Sequence, residues 1–213
     1  MCARSSASIR GLSSEPSSDS IEAMRWEDAV SAACWGVVIV VWIVGGIDNA
    51  RKAPKVESKP RPRLIPIALF IALILVLTRI HWDALSFDSS GLAVIGAVVL
   101  VASTVFTIWS RVVLGSMWSV NALARVDHEL RTSGPYSVTR HPIYTGLIGM
   151  VLGTALLSGH GEWILILILV VLGLVGKAIR EERVMAATFP QDYAAYRSRV
   201  PGIIPRPWRH HPT

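Results

Sequence analysis

Apolar residues along the chain fall in long, nearly charge-free blocks separated by polar stretches. Five blocks stand out: Ala29 to Ile47, Leu64 to Ile80, Gly91 to Trp109, Ile143 to Ser158 and Trp163 to Ile179. Each approaches the ~20 residues a helix needs to cross a ~30 Å hydrocarbon core. One such block could be a buried helix of a soluble domain, but five in series predict membrane spans. Backbone groups in lipid must be satisfied within the segment, so the expected fold class is all-α. The expectation is a polytopic membrane protein with about five transmembrane helices. Only Gly159, His160, Gly161 and Glu162 separate the last two blocks, which predicts a tight helical hairpin.

The polar stretches differ in kind. Residues 1–24 hold eight serines between Ser5 and Ser20 and no apolar period, which predicts a disordered segment. No apolar core follows the start, so a signal peptide is not expected. Lys52 to Pro66 reads as a Pro- and Lys-rich linker. Ser110 to Arg125 mixes Arg111, Met117, Trp118 and Leu123 with small polar residues, the composition of an interfacial segment. Val126 to Gly146 is the most polar run beside a span and contains the turn signal Gly134-Pro135. Arg180 to Val200 predicts a polar helix that breaks near Phe189-Pro190. Beyond the break, Tyr193, Tyr196 and Val200 share one face. The chain thus divides into 1–24, the first three spans in 25–110, and 111–213, where the chemistry is expected.

Charge orients these spans. Arg51, Lys52, Lys55, Lys59, Arg61 and Arg63 crowd the first loop, whereas the second has Arg79 offset by Asp83 and Asp88. Arg111, Arg125, Arg131 and Arg140 fill the third loop, and the hairpin turn has neither Lys nor Arg. Lys177, Arg180, Arg183, Arg197 and Arg199 mark the far side of the last span. The alternation predicts the N-terminus outside and a cytoplasmic C-terminal helix. The net charge of +6 lies in these loops, where it suits anionic headgroups rather than nucleic acid. Charged residues make up 17% of the chain and hydrophobic ones 52%, less charge than a soluble domain carries. Cys2 and Cys34 support neither a disulfide framework nor a metal site. Few ionisable groups in spans one to three, and no internal repeat, argue against an ion-coupled transporter. A bacterial plasma membrane is the default location.

Candidate chemistry gathers at one hairpin mouth. His141 precedes Pro142, which suits the first position of a helix. Arg140 and His141 therefore stand at a helix N-terminus, where free amides favour an anion. Tyr144 lies one turn deeper. Because the hairpin turn is short, the start of span four and the end of span five must be neighbours. Arg140, His141, Tyr144, Glu181 and Glu182 can converge there, with His128 and Tyr136 on the loop above. Taken singly, the arginines could snorkel, the glutamates could form interfacial ion pairs and the tyrosines could be belt aromatics.

Three segments together resemble the isoprenylcysteine carboxyl methyltransferase family, itself similar to the phospholipid methyltransferases. They are His128-Glu-Leu-Arg-Thr-Ser-Gly-Pro-Tyr136, Arg140-His-Pro-Ile-Tyr-Thr-Gly146, and Glu181-Glu182 with the later Phe189, Tyr193 and Tyr196. The resemblance covers roughly Leu114 to Pro207. It implies a membrane-embedded, S-adenosylmethionine-dependent methyltransferase with a cytoplasm-facing cofactor pocket and a lipidic acceptor entering from the bilayer. It further implies that His128, Leu130, Tyr136, His141, Pro142 and Tyr144 line the cofactor pocket and that Glu181 or Glu182 holds its polar end. Arg140 would order the site or meet an acceptor oxygen, and Arg140 and Glu182 are the catalytic candidates. A hydroxyl or amine acceptor would call for a base, with Glu182 or His141 as candidates. Sterol-type reductases are similar near the Arg-His-Pro-x-Tyr motif, so an NADPH-dependent membrane reductase is the alternative. A non-catalytic membrane interaction protein is the third reading.

Overall fold

The computed structural model describes residues 25–52, 82–115 and 131–205. The helices are α1 (Trp26–Lys52), α2 (Ser90–Leu114), the one-turn α3 (Pro135–Val138), α4 (Pro142–Ser158), α5 (Glu162–Thr188) and α6 (Pro190–Arg199). A 3-10 turn, Asp83–Leu85, precedes α2, and the described residues contain no strand. The second apolar block, the first 24 residues and most of the first linker lie outside the described residues. So does the segment 116–130, with Trp118, His128 and Leu130.

The protein is an all-α polytopic membrane protein. Among the described residues, three helices, α1, α2 and α5, are long and apolar enough to cross a bilayer, and the 17-residue α4 is shorter. Two helices outrun their apolar blocks. α5 continues to Thr188 because Lys177 to Arg183 contains good helix formers and neither Gly nor Pro. It stops at Phe189, where Pro190 cannot donate and starts the next helix. α2 continues to Leu114, so Ser110 and Arg111 are buried helix residues rather than part of an interfacial stretch. Ser110 manages this by donating to the Phe106 carbonyl at 2.6 Å.

The core is the pairing of α2 with α4. In lipid, apolar surface alone does not drive helices together, and close backbone approach does. Four glycines supply it. A Cβ at Gly153 would lie 2.5 Å from the backbone nitrogen of Leu100, and one at Gly96 would strike the backbone of Leu157. Gly146 faces the Thr107 hydroxyl and Gly149 the Ser103 hydroxyl, again with no room for a side chain. Val38 of α1 joins Leu100, Met150 and Leu157, with Cys34, Trp35 and Trp42 packed at the edge. The Trp35 indole N–H donates to Thr154 at 3.1 Å, tying α1 to α4. Outward faces remain apolar, as at Val98, Val105, Val112, Ile168 and Leu172.

At one end of the bundle, the α4–α5 turn is clamped. Gly159 takes a left-handed φ of +69°, and its carbonyl accepts the Phe87 amide at 2.9 Å. The Gly161 amide donates to Ser86 Oγ at 3.1 Å. With this end closed, α4 and α5 run side by side, so the start of α4 meets the later turns of α5 at the opposite end.

Candidate active site

The mouth is built from the first turn of α4, the later turns of α5, α6 and the chain that follows it. His141 caps α4 with φ −124°, the value favoured before proline, and a ψ of 59° that falls short of the fully extended region. This throws Arg140 and the His141 ring toward α5. Glu181 and Glu182, adjacent on α5, point about 100° apart around the helix, so they reach different partners.

Glu182 binds Arg140. Its Oε1 accepts from Arg140 Nη2 at 2.7 Å and from Nε at 3.1 Å, and His141 Nε2 lies 3.3 Å from the same oxygen. Glu181 binds Tyr144, whose hydroxyl donates to Oε1 at 2.6 Å. His141 Nδ1 stands 3.7 Å from Glu181 Oε2, so the imidazole bridges the two carboxylates. The shorter contact favours the tautomer protonated on Nε2. The His141 and Tyr144 rings stack nearly parallel, 4° apart, with centroids at 5.4 Å. Lys177 places its ammonium 5.3 Å over the Tyr144 ring and 3.9 Å from Glu181, and its side chain is 48% exposed.

Burial sets the protonation states at the loop edge. It pulls His141 below its ordinary pKa, against the opposing pull of Glu182 and Glu181, and Arg140 works in the same direction as burial. The imidazole is therefore neutral at pH 7. Burial pushes the Tyr136 and Tyr196 phenols up, so both keep their protons. Tyr196 uses its proton to donate to the Tyr136 carbonyl at 2.6 Å, fixing α6 against α3.

The structure thus brings Arg140, His141, Tyr144, Glu181 and Glu182 to one mouth, with Arg140 and His141 on Glu182, Tyr144 on Glu181, and His141 3.7 Å from Glu181. Tyr136 sits beside them on α3, buried. Pro142 is fully buried under the first turn of α4. His128 and Leu130 lie outside the described residues. The anion site expected from the free amides of α4 is reduced. The His141 amide donates to the Gly202 carbonyl, and those of Tyr144 and Thr145 donate to the His141 carbonyl.

Several further residues take parts here that a one-dimensional reading does not assign them. Thr139 and Thr145, on either side of the Arg-His-Pro run, donate to the carbonyls of Gly202 and Ile203. Arg197 approaches Glu182 at 3.9 Å. Arg111 lies buried at the α2 end, its Nη1 donating to Gly115 O at 3.0 Å and its guanidinium filling the space left by Gly45 of α1. Buried in the last turns of α2, it belongs to the protein interior rather than to a basic loop.

Residues 92–192 match the phospholipid methyltransferase family. The matched stretch begins inside α2, earlier than the motif segments, and contains every one of the five converging side chains. The chain is 28% identical over 141 residues to the cobalt-zinc-cadmium resistance protein CzcN of Cupriavidus metallidurans. It is 38% identical over 80 residues to the protein-S-isoprenylcysteine O-methyltransferase of Schizosaccharomyces pombe. These alignments cover 66% and 37% of the chain, and 61% and 34% of the two relatives. The fold resembles a solved eukaryotic intramembrane Ras methyltransferase, an isoprenylcysteine carboxyl methyltransferase, with a TM-score of 0.50 and 23% identity. That match covers 83% of this chain and 67% of the other.

Proposed function

We propose, on the premise of the phospholipid methyltransferase match over residues 92–192 and the likeness to isoprenylcysteine methyltransferases, that this protein is a membrane-embedded, S-adenosylmethionine-dependent methyltransferase with a lipidic acceptor. The observation that carries the reading is the convergence of Arg140, His141, Tyr144, Glu181 and Glu182 at one hairpin mouth, inside the matched region. The orientation that goes with it is N-terminus outside and this mouth in the cytoplasm, with about five spans, in a bacterial plasma membrane.

The residues present fit the cofactor in part. When bound, S-adenosylmethionine supplies a methyl group made electrophilic by its sulfonium. Glu181 keeps one oxygen whose nearest partner is His141 at 3.7 Å, which leaves it able to accept from an ammonium or a ribose hydroxyl. The stacked rings of His141 and Tyr144 offer a flat aromatic ledge suited to a base or a cation. Lys177 can meet a carboxylate at the rim. Tyr136, Pro142, His128 and Leu130 complete the pocket in this reading. Glu182 is held by Arg140, so its work is to fix His141 rather than to bind freely. Most of the rate gain would come from holding donor and acceptor in line. A carboxylate acceptor needs no proton removed, whereas a hydroxyl or amine acceptor does, and the neutral His141 is the base within reach.

The test is transfer itself. Purified protein in lipid bilayers made from total membrane extract, given methyl-labelled S-adenosylmethionine, should move label into the organic phase. A protein that transfers no label and binds NADPH instead would be a reductase.

A further inference from the structure

We infer that the segment Val200 to Ile203, beyond the family-matched region, forms a fixed wall of the site, and that Arg140 is the positioning residue that anchors it. The inference rests on the methyltransferase reading only for what the wall encloses.

The Arg140 side chain is nearly fully committed. A guanidinium has five N–H donors. Nε and Nη2 donate to Glu182 Oε1, and Nη1 donates to the carbonyls of Arg197 at 3.0 Å and Val200 at 2.8 Å. Those carbonyls stand at the end of α6, where a helix leaves its last C=O groups without intrahelical partners. A cation there is also favoured by the helix dipole. Arg140 therefore joins α5, α6 and the start of α4 through one side chain that is 11% exposed. A group so engaged has little left to offer an acceptor oxygen.

The backbone repeats the same attachment. The Arg140 amide donates to Pro201 O at 2.8 Å, and the His141 amide to Gly202 O at 3.3 Å. The hydroxyls of Thr139 and Thr145 donate to Gly202 O and Ile203 O. Ile203 then packs with Ile143, Tyr144 and Ala178 under the mouth. Every residue from Thr139 to His141 is thus bonded to the strap. These bonds fix the His141 backbone, and from it the ring lies over Tyr144 and between the two glutamates. Loosening the strap should free that ring and weaken whatever the ledge binds.

Two variants of the full-length protein test this. Thr139→Val combined with Thr145→Val removes two hydroxyl donors to the strap and leaves Arg140 and Glu182 intact. Arg140→Lys keeps the charge near Glu182 but cannot reach three acceptors at once. Hydrogen–deuterium exchange of the apo protein should rise about tenfold in the peptide spanning 139–145 for the threonine pair. The dissociation constant for S-adenosylhomocysteine should rise about tenfold in both variants, a change comparable to losing one or two hydrogen bonds. Should the wild type fail to bind S-adenosylhomocysteine, the functional reading falls, and exchange in the apo protein still decides the strap. Unchanged exchange in the threonine pair would overturn the inference. So would an Arg140→Lys variant that keeps cofactor-product affinity while losing turnover, the signature of a residue that meets the acceptor.

Discussion

Between Gly146 and Leu157, α4 is held by shape: glycines admit the backbone of α2, and hydroxyls of Ser103 and Thr107 sit where side chains of α4 are missing. Between Thr139 and Thr145, the entry to the same helix and its first turn are held by charge and hydrogen bonds. Its partners there come from α5, α6 and the strap, as much as 63 residues away in sequence. The first half needs no particular protonation state and no particular ligand. The second gathers two carboxylates, a guanidinium and a partly buried imidazole, an arrangement that depends on every member being present. A helix anchored firmly by packing can present a costly polar cluster at its end without losing its place in the bundle.

The sharpest way to break this division is at the ion pair. Glu182→Ala would leave the Arg140 guanidinium largely buried beside His141 without its carboxylate, a loss of about 2–3 kcal/mol after allowing for partial exposure. Thermal unfolding in detergent would measure it, together with loss of S-adenosylhomocysteine binding. Adding Arg140→Met to Glu182→Ala removes the stranded charge but also the donors to the Arg197 and Val200 carbonyls, so it should restore little of the stability and none of the binding. Recovery of binding would mean that the charges are not what the mouth needs.

The packed half should respond in the opposite pattern. Gly153→Ala forces a methyl against the Leu100 backbone and should lower stability by about 2 kcal/mol. The folded fraction should keep its S-adenosylhomocysteine affinity within about twofold, because the mouth is untouched. A large affinity change at equal stability would join the two halves into one unit.

Smaller effects follow within the mouth. Tyr144→Phe removes the 2.6 Å bond to Glu181, worth about 1 kcal/mol. It should raise the S-adenosylhomocysteine dissociation constant several-fold in calorimetry and lower the melting temperature by about 2–4 °C. The weakest effect is on pH. Burial lowers the folded-state pKa of His141, so the unfolded chain takes up a proton more readily. The contribution of His141 is therefore fully present above about pH 6.5 and is lost as pH falls below it. Melting temperatures between pH 5 and 8 should show this slope in the wild type and a flatter one in His141→Gln.

How far the sequence foretold these halves depends on how local each signal is. Apolar blocks gave the three long helices and α4 to within a few residues of their cores, because a membrane span is a local property. The short hairpin turn implied that Arg140, His141, Tyr144, Glu181 and Glu182 lie together, and Phe189-Pro190 marked the break before α6. The end of α2 was less legible: Ser110 and Arg111 read as the start of an interfacial stretch, although the helix runs on to Leu114. Arg111 reads as a loop charge, and its burial depends on Gly45, a residue 66 positions earlier that leaves it room. The strap was invisible for a simpler reason. Its acceptors are the carbonyls of Pro201, Gly202 and Ile203, and every residue has a carbonyl.

The central claim is that the hairpin mouth holds S-adenosylmethionine, and its most direct test is calorimetric titration of the purified wild-type protein with S-adenosylhomocysteine, with NADPH as the parallel ligand. The account predicts saturable micromolar binding of S-adenosylhomocysteine, weakened in Tyr144→Phe, and none of NADPH. Absence of S-adenosylhomocysteine binding up to high micromolar concentration, or binding that Tyr144→Phe and Glu182→Ala leave unchanged, would contradict it.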